Sequence, residues 1–199
     1  MDPQYLLDTF GNAFFWVSVV IVFIECGLFF PILPGDSLLF AIGIFIHQGI
    51  INIPLWLACV LLTFVAFAGN VVGYEIGRLL GPRLYARDGR ILKRKYFDDT
   101  ITFFDKYGNK ALVIGRFVPI VRTFITVVAG VGQMPRRRFF TWSALGAVLW
   151  ACGVTIVGYY LGQIPVVRDN LEVAIILIVG VSVLPMVIEF LLARRRARG

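Results

Sequence analysis

Residues 14–47 read FFWVSVVIVFIECGLFFPILPGDSLLFAIGIFIH. The run is apolar enough to lie in a membrane, yet Pro31, Pro34 and Gly35 break it in the middle, and Glu25 and Asp36 set an acid on either side of the break. Proline removes a backbone donor and clashes with the preceding turn, so this is not one plain spanning helix. In hydrocarbon a freed backbone carbonyl has no water to bond, and irregular backbone survives only where it is buried in protein or lines a wet cavity. The stretch therefore predicts a helix, a break and a second helix, folded as a hairpin that enters the membrane and returns.

The rest of the chain asks for the same solvent. Of 199 residues 59% are hydrophobic and 16% charged, with a mean hydropathy of +0.84, far more apolar than a soluble domain tolerates. Residues 14–30, 53–72 and 173–192 approach or reach the ~20 apolar residues that cross a ~30 Å hydrocarbon layer. Continuous apolar runs, rather than alternating ones, exclude a transmembrane barrel. The fold expected is an all-α polytopic membrane protein.

A formal charge of +7 and a pI near 9.7 also fit nucleic-acid binding, but the distribution of the charge argues otherwise. Lys and Arg are absent from residues 1–77, then gather at 78–95, at Lys106 and Lys110, at Arg136 to Arg138 and at Arg194 to Arg198. Basic clusters beside apolar spans mark cytoplasmic loops, so no nucleic-acid partner is expected and the C-terminus is placed in the cytoplasm. Cys26, Cys59 and Cys152 lie in apolar stretches at no metal or redox spacing and read as packing residues. Asp2 and Asp8 precede the first apolar run with no basic residue ahead of it, which is not the pattern of a cleaved secretory signal; the mature chain is expected to start near Met1.

An internal repeat organises the chain. Gly69-Asn-Val-Val-Gly73-Tyr74-Glu75-Ile76-Gly77 is similar to Val154-Thr-Ile-Val-Gly158-Tyr159-Tyr160-Leu161-Gly162 at an interval of 85 residues, and the same interval carries Pro34 onto Pro119. Each half thus holds a proline-broken apolar stretch and then a helix ending in Gly-Tyr-x-x-Gly, the plan of transporters built from repeats. Residues 111–134 form the second broken stretch, interrupted at Pro119, softened by Gly130 and Gly132, and flanked by basic residues on both sides. It is read as re-entrant from the cytoplasm, and the first as entering from outside, which makes the repeats inverted. The expected layout is a first repeat at 14–77, a cytoplasmic amphipathic connector at 78–110, a second repeat at 111–162, a final transmembrane helix at 171–193 and a basic tail at 194–199.

Glu25 and Asp36 in the first hairpin, and Arg116 and Arg122 in the second, are the sharpest chemical signal. A charge at mid-bilayer costs at least ~2.5–3.5 kcal/mol and is normally paired, buried in the bundle and functional. The bland alternative is a pair of structural ion bridges. Arginine's planar fork donates two parallel hydrogen bonds and keeps its charge, which suits it to gripping phosphate. An acid in a low dielectric can exchange a proton, so Glu25 and Asp36 are candidates for coupling transport to protons; Glu75 is read equally as a third buried acid with that role or as an interfacial residue. Gly69, Gly73 and Gly77 recur every four residues, as small residues do where helices pack closely; Gly158 and Gly162 repeat the motif. Glu189 is expected at the interface or beside Arg194. The single histidine, His47, is read as a loop residue, since no second histidine helps it to hold a metal. Trp16, Trp56, Trp142 and Trp150 suit interfacial or packing positions.

Taken in order, Glu25-x-Gly27-x-x-x-Pro31-x-x-Pro34-Gly35-Asp36, Gly73-Tyr74-x-x-Gly77-Arg78, Gly115-Arg116-Phe117-x-Pro119-x-x-Arg122 and Ala129-Gly130 to Met134 resemble the DedA family, also described by its SNARE-associated or VTT domain. The likeness runs through roughly residues 14–163. It implies an inverted-repeat transporter of the bacterial inner membrane that flips undecaprenyl phosphate from the outer to the inner leaflet, or moves a related phospholipid in support of membrane homeostasis. It also implies that Glu25 and Asp36 match the family's essential acids, and Arg116 and Arg122 its essential arginines. One departure stands out: between Arg122 and Ala129 the family often carries a proline in an Arg-x-x-x-Pro pattern, where this chain has Ile125 and Thr126, so the second hairpin is expected to turn differently.

Two other classes compete with this reading. A lipid-phosphate hydrolase working through a phosphohistidine needs at least two histidines, and no glycine loop of nucleotide-binding type is present; an enzyme, a metal and a cofactor are therefore not expected. A non-transporting scaffold explains the packing glycines but not the acids and arginines on broken helices.

Overall fold

A computed structural model describes residues 3–27, 35–86, 94–117 and 119–165, and all regular structure among them is helical. The α-helices are α1 (Pro3–Gly27), α2 (Gly35–His47), α3 (Leu55–Ala86), α4 (Arg94–Tyr107), α5 (Ala111–Ile114), α6 (Pro119–Val131) and α7 (Arg136–Leu161). Single 3₁₀ turns, Gly108–Lys110 and Gly115–Phe117, bracket α5. The expected break with Pro31 and Pro34, the final helix at 171–193 with Glu189, and the basic tail lie outside the described residues.

Leu55–Leu80 and Arg136–Leu161, each of 26 residues with mean hydropathy 2.2 and 1.7, are long and apolar enough to cross a bilayer. At 1.5 Å per residue such a helix spans about 39 Å against ~30 Å of hydrocarbon. The 13-residue helices α2 and α6 reach only about 20 Å, too short to cross alone. The core is apolar, but large apolar side chains also face outward and several polar ones are buried. On α3, Trp56, Val60, Phe64 and Val72 share an exposed face, while Ser18, Asn70, Thr126, Ser143 and Thr155 are buried along with Glu25 and Arg116. Lipid around the molecule accounts for both halves of that pattern.

Two compact units divide these residues, and the long helices run through both. The first comprises 3–18, 35–58 and 153–165. Here α2 lies on the last turns of α7: Gly158 meets the backbone of Phe40, Gly43 meets the Thr155 carbonyl and the Tyr159 amide, and a side chain at either glycine would strike backbone. Gly162 faces the Cβ of His47 at a distance that leaves a methyl 3.2 Å away. His47, expected in a loop, is instead the last residue of α2, its ring edge-on to Tyr159 with centroids 5.0 Å apart. The apolar run simply extends one residue further as helix than its polarity implied.

The second unit comprises 19–27, 59–86, 94–117 and 119–152. Its core gathers Tyr74, Leu112, Val121, Ile125, Ala129 and Phe139, with Tyr74 stacked on Phe139 at 4.2 Å. Here α6 lies on α3, Gly77 against the Val127 backbone and Gly130 against the Tyr74 carbonyl, while Gly27 of α1 passes Gly69 of α3. The small residues at 69, 73 and 77 thus do what their spacing implied. α4 packs on α6.

Three boundaries differ from the sequence reading. α1 starts at Pro3 rather than near Phe14, since proline suits a first helical position and apolarity marks the membrane, not the helix end. α3 runs on to Ala86, taking the first part of the expected connector. In the second proline-broken stretch a 3₁₀ turn at Gly115–Phe117 follows α5, and Pro119 opens α6 instead of interrupting a helix; its missing N–H is not needed at a helix start. Ile125 and Thr126 stand inside uninterrupted α6 rather than in a turn.

Candidate functional site

Glu25 lies in the last turn of α1, Arg116 in the 3₁₀ turn after α5, and Arg122 in the first turn of α6. The second unit brings all three together. Arg122 donates from Nη2 to Oε1 of Glu25. Both guanidinium groups lie over the buried ring of Trp150, with Cζ 5.3 Å from the centroid for Arg122 and 5.9 Å for Arg116, inside the ~6 Å reach of a cation–π contact. Gly146, one turn before Trp150 on α7, makes this possible: a Cβ there would sit 2.9 Å from Nε of Arg116 and 3.0 Å from the Leu112 carbonyl.

The group encloses a cavity of about 10 Å³, room for roughly one water. Besides the three charged residues, Asn70, Thr126 and Ser143 line it. Asn70 Nδ2, Thr126 Oγ1 and Ser143 Oγ are buried with no hydrogen-bond partner among the described residues. Two arginines against one glutamate leave the cavity one positive charge in excess, and the neutral groups add donors. Such a lining is chemically suited to an oxyanion.

The other expected residues fall elsewhere. Asp36 is the second residue of α2, in the first unit, partly exposed. Glu75, read equally as a buried acid or an interfacial residue, is partly exposed: Arg136 donates to it from Nε at 2.8 Å and from Nη2 at 3.0 Å. Its partner comes from the arginine cluster at 136–138, which the apolar context of α3 does not reveal. Tyr74 of the Gly-Tyr-x-x-Gly motif donates its hydroxyl to the Met134 carbonyl and accepts from Arg78 Nη1 at 2.9 Å, fixing the turn after α6. The sequence does not single out Asn70, Thr126, Ser143 and Trp150 as residues of this cavity. A polar residue in an apolar helix was the available signal for the first three; for Trp150 there was none.

These features define a helical membrane protein with a charged, buried, anion-suited site. The VTT domain family matches residues 33–160, and the chain belongs to that family, the DedA family. Protein DedA of Escherichia coli K12 is 41% identical over 194 residues, 96% of this chain and 89% of the relative. An uncharacterized membrane protein of Mycobacterium tuberculosis is 40% identical over 193 residues, covering 95% and 85%. Inner membrane protein YghB of E. coli K12 is 35% identical over 161 residues, covering 80% and 73%. No solved structure matches the chain.

Proposed function

We propose that this protein carries a lipid-linked phosphate, undecaprenyl phosphate or a related phospholipid, between the leaflets of the bacterial inner membrane. The observation that carries the reading is the buried cavity in which Arg116 and Arg122 outnumber Glu25. A phosphate replaces the Glu25 carboxylate as the partner of Arg122, and protonation of Glu25 frees the arginine for it. Asp36 is the second acid of the cycle. Two re-entrant hairpins in inverted repeats, residues 14–77 and 111–162, deliver the head group to this site from either face, with the connector and C-terminus in the cytoplasm. Support for that plan comes from reciprocal packing: the short helix of the first repeat, α2, lies on α7, and that of the second, α6, lies on α3. The test is uptake of undecaprenyl phosphate from the outer leaflet of expressing cells as a function of pH, comparing wild type with Glu25→Gln and Asp36→Asn. Unchanged uptake with the same pH dependence removes proton coupling, and tolerance of Arg122→Lys favours a scaffold instead.

A further inference from the structure

Asn70, Thr126 and Ser143 come from three different helices, α3, α6 and α7, and are 3%, 3% and 1% exposed. Each lines the cavity that holds both arginines and carries a buried polar atom without a hydrogen-bond partner among the described residues. An orphaned buried polar atom is destabilising, and valine, alanine or leucine would fill the same space without that cost. The backbone also makes room for one of them: a Cβ at Gly73 would come within 2.8 Å of the Thr126 hydroxyl oxygen.

We infer that these three side chains form a neutral donor subsite for the non-ester oxygens of a phosphate group. The inference rests on the lipid-phosphate reading above and names the residues that read the head group. Arginines supply charge to any anion. An amide and two hydroxyls at fixed positions add direction, and three donor groups from three helices match the several oxygens of a tetrahedral phosphate better than the two coplanar ones of a carboxylate. The seat is completed when Glu25 leaves Arg122, since the closed cavity has room for only about one water.

The experiment uses the full chain purified in detergent. Binding of dodecyl phosphate, inorganic phosphate and dodecanoate is measured by equilibrium dialysis for wild type and the near-isosteric variants Thr126→Val, Ser143→Ala and Asn70→Leu, and melting temperatures are taken with and without ligand. Each variant is expected to weaken dodecyl phosphate on the order of tenfold while leaving dodecanoate unchanged. Each is also expected to melt higher than wild type without ligand, because an orphan is gone, and to gain less from dodecyl phosphate. Inorganic phosphate distinguishes the source: binding of the alkyl phosphate alone assigns the subsite to a lipid head group, and parallel losses for both assign it to the phosphate group whatever carries it. Wild-type affinity for dodecyl phosphate in all three variants overturns the subsite while leaving the arginine site standing. So does a variant that melts lower with its affinity intact, the mark of a structural water. Failure of wild type to bind either phosphate overturns the carrier reading itself.

Discussion

Arg122 on α6 is ion-paired with Glu25 on α1, 97 residues earlier in the chain. The pair closes an anion-suited cavity with an anion of the protein's own. It is a structural tie between two helices and, in the proposed carrier cycle, the contact that a phosphate displaces.

Breaking that tie from one side is expected to be expensive. Glu25→Gln leaves a largely buried guanidinium with a weaker partner, and loss of one member of a buried pair costs about 3–5 kcal/mol. The 19% exposure of the Arg122 side chain puts the expected loss at the lower end. In a double-mutant cycle, Glu25→Gln with Arg122→Gln should lose less than the sum of the two single changes, as read from thermal unfolding in one detergent.

Trp150 should behave as part of the site rather than as filler. Trp150→Leu removes the ring that both guanidinium groups overlie. With a desolvated cation–π contact worth about 2 kcal/mol, affinity for dodecyl phosphate should fall on the order of ten- to thirtyfold. Trp150→Phe keeps an aromatic face and should lose less in the same binding measurement.

How much of this could be read beforehand follows from what lipid makes conspicuous. Glu25, Arg116 and Arg122 stood out because a charge in an apolar run is costly, and Pro119 because proline cannot continue a helix from upstream. Asn70, Thr126 and Ser143 did not, because a neutral polar side chain is common in apolar helices and becomes informative only when its hydrogen-bond partners can be counted. Trp150 has no local signature at all; its role comes from packing against residues 28 and 34 positions away. The two readings of Glu75 are not separable from its own stretch of sequence, since its partner Arg136 lies 61 residues on.

The close helix contacts give a stability prediction with an internal control. Gly77→Ala and Gly158→Ala each drive a methyl into backbone, which should cost about 1–3 kcal/mol. Gly153, on the same helix as Gly158, has open space where a methyl would go, with nothing within 4 Å of that position, so Gly153→Ala should be neutral or gain up to about 1 kcal/mol from helix propensity. Melting temperatures of the three variants measure the difference.

Glu75→Gln separates the exposed acid from the buried one. Its pair with Arg136 is open to solvent, and such pairs contribute little. Melting temperature and lipid uptake are both expected to stay at wild-type values, in contrast to Glu25→Gln.

Purified protein in proteoliposomes containing undecaprenyl phosphate tests whether the arginine cavity carries a lipid phosphate. Transfer between leaflets is followed for wild type, Arg116→Ala and Arg122→Ala at matched incorporation. Wild type is expected to transfer the lipid well above the rate of protein-free vesicles, and both variants to lose that transfer. Wild-type transfer at the protein-free rate, or equal transfer by all three proteins, would contradict the carrier reading.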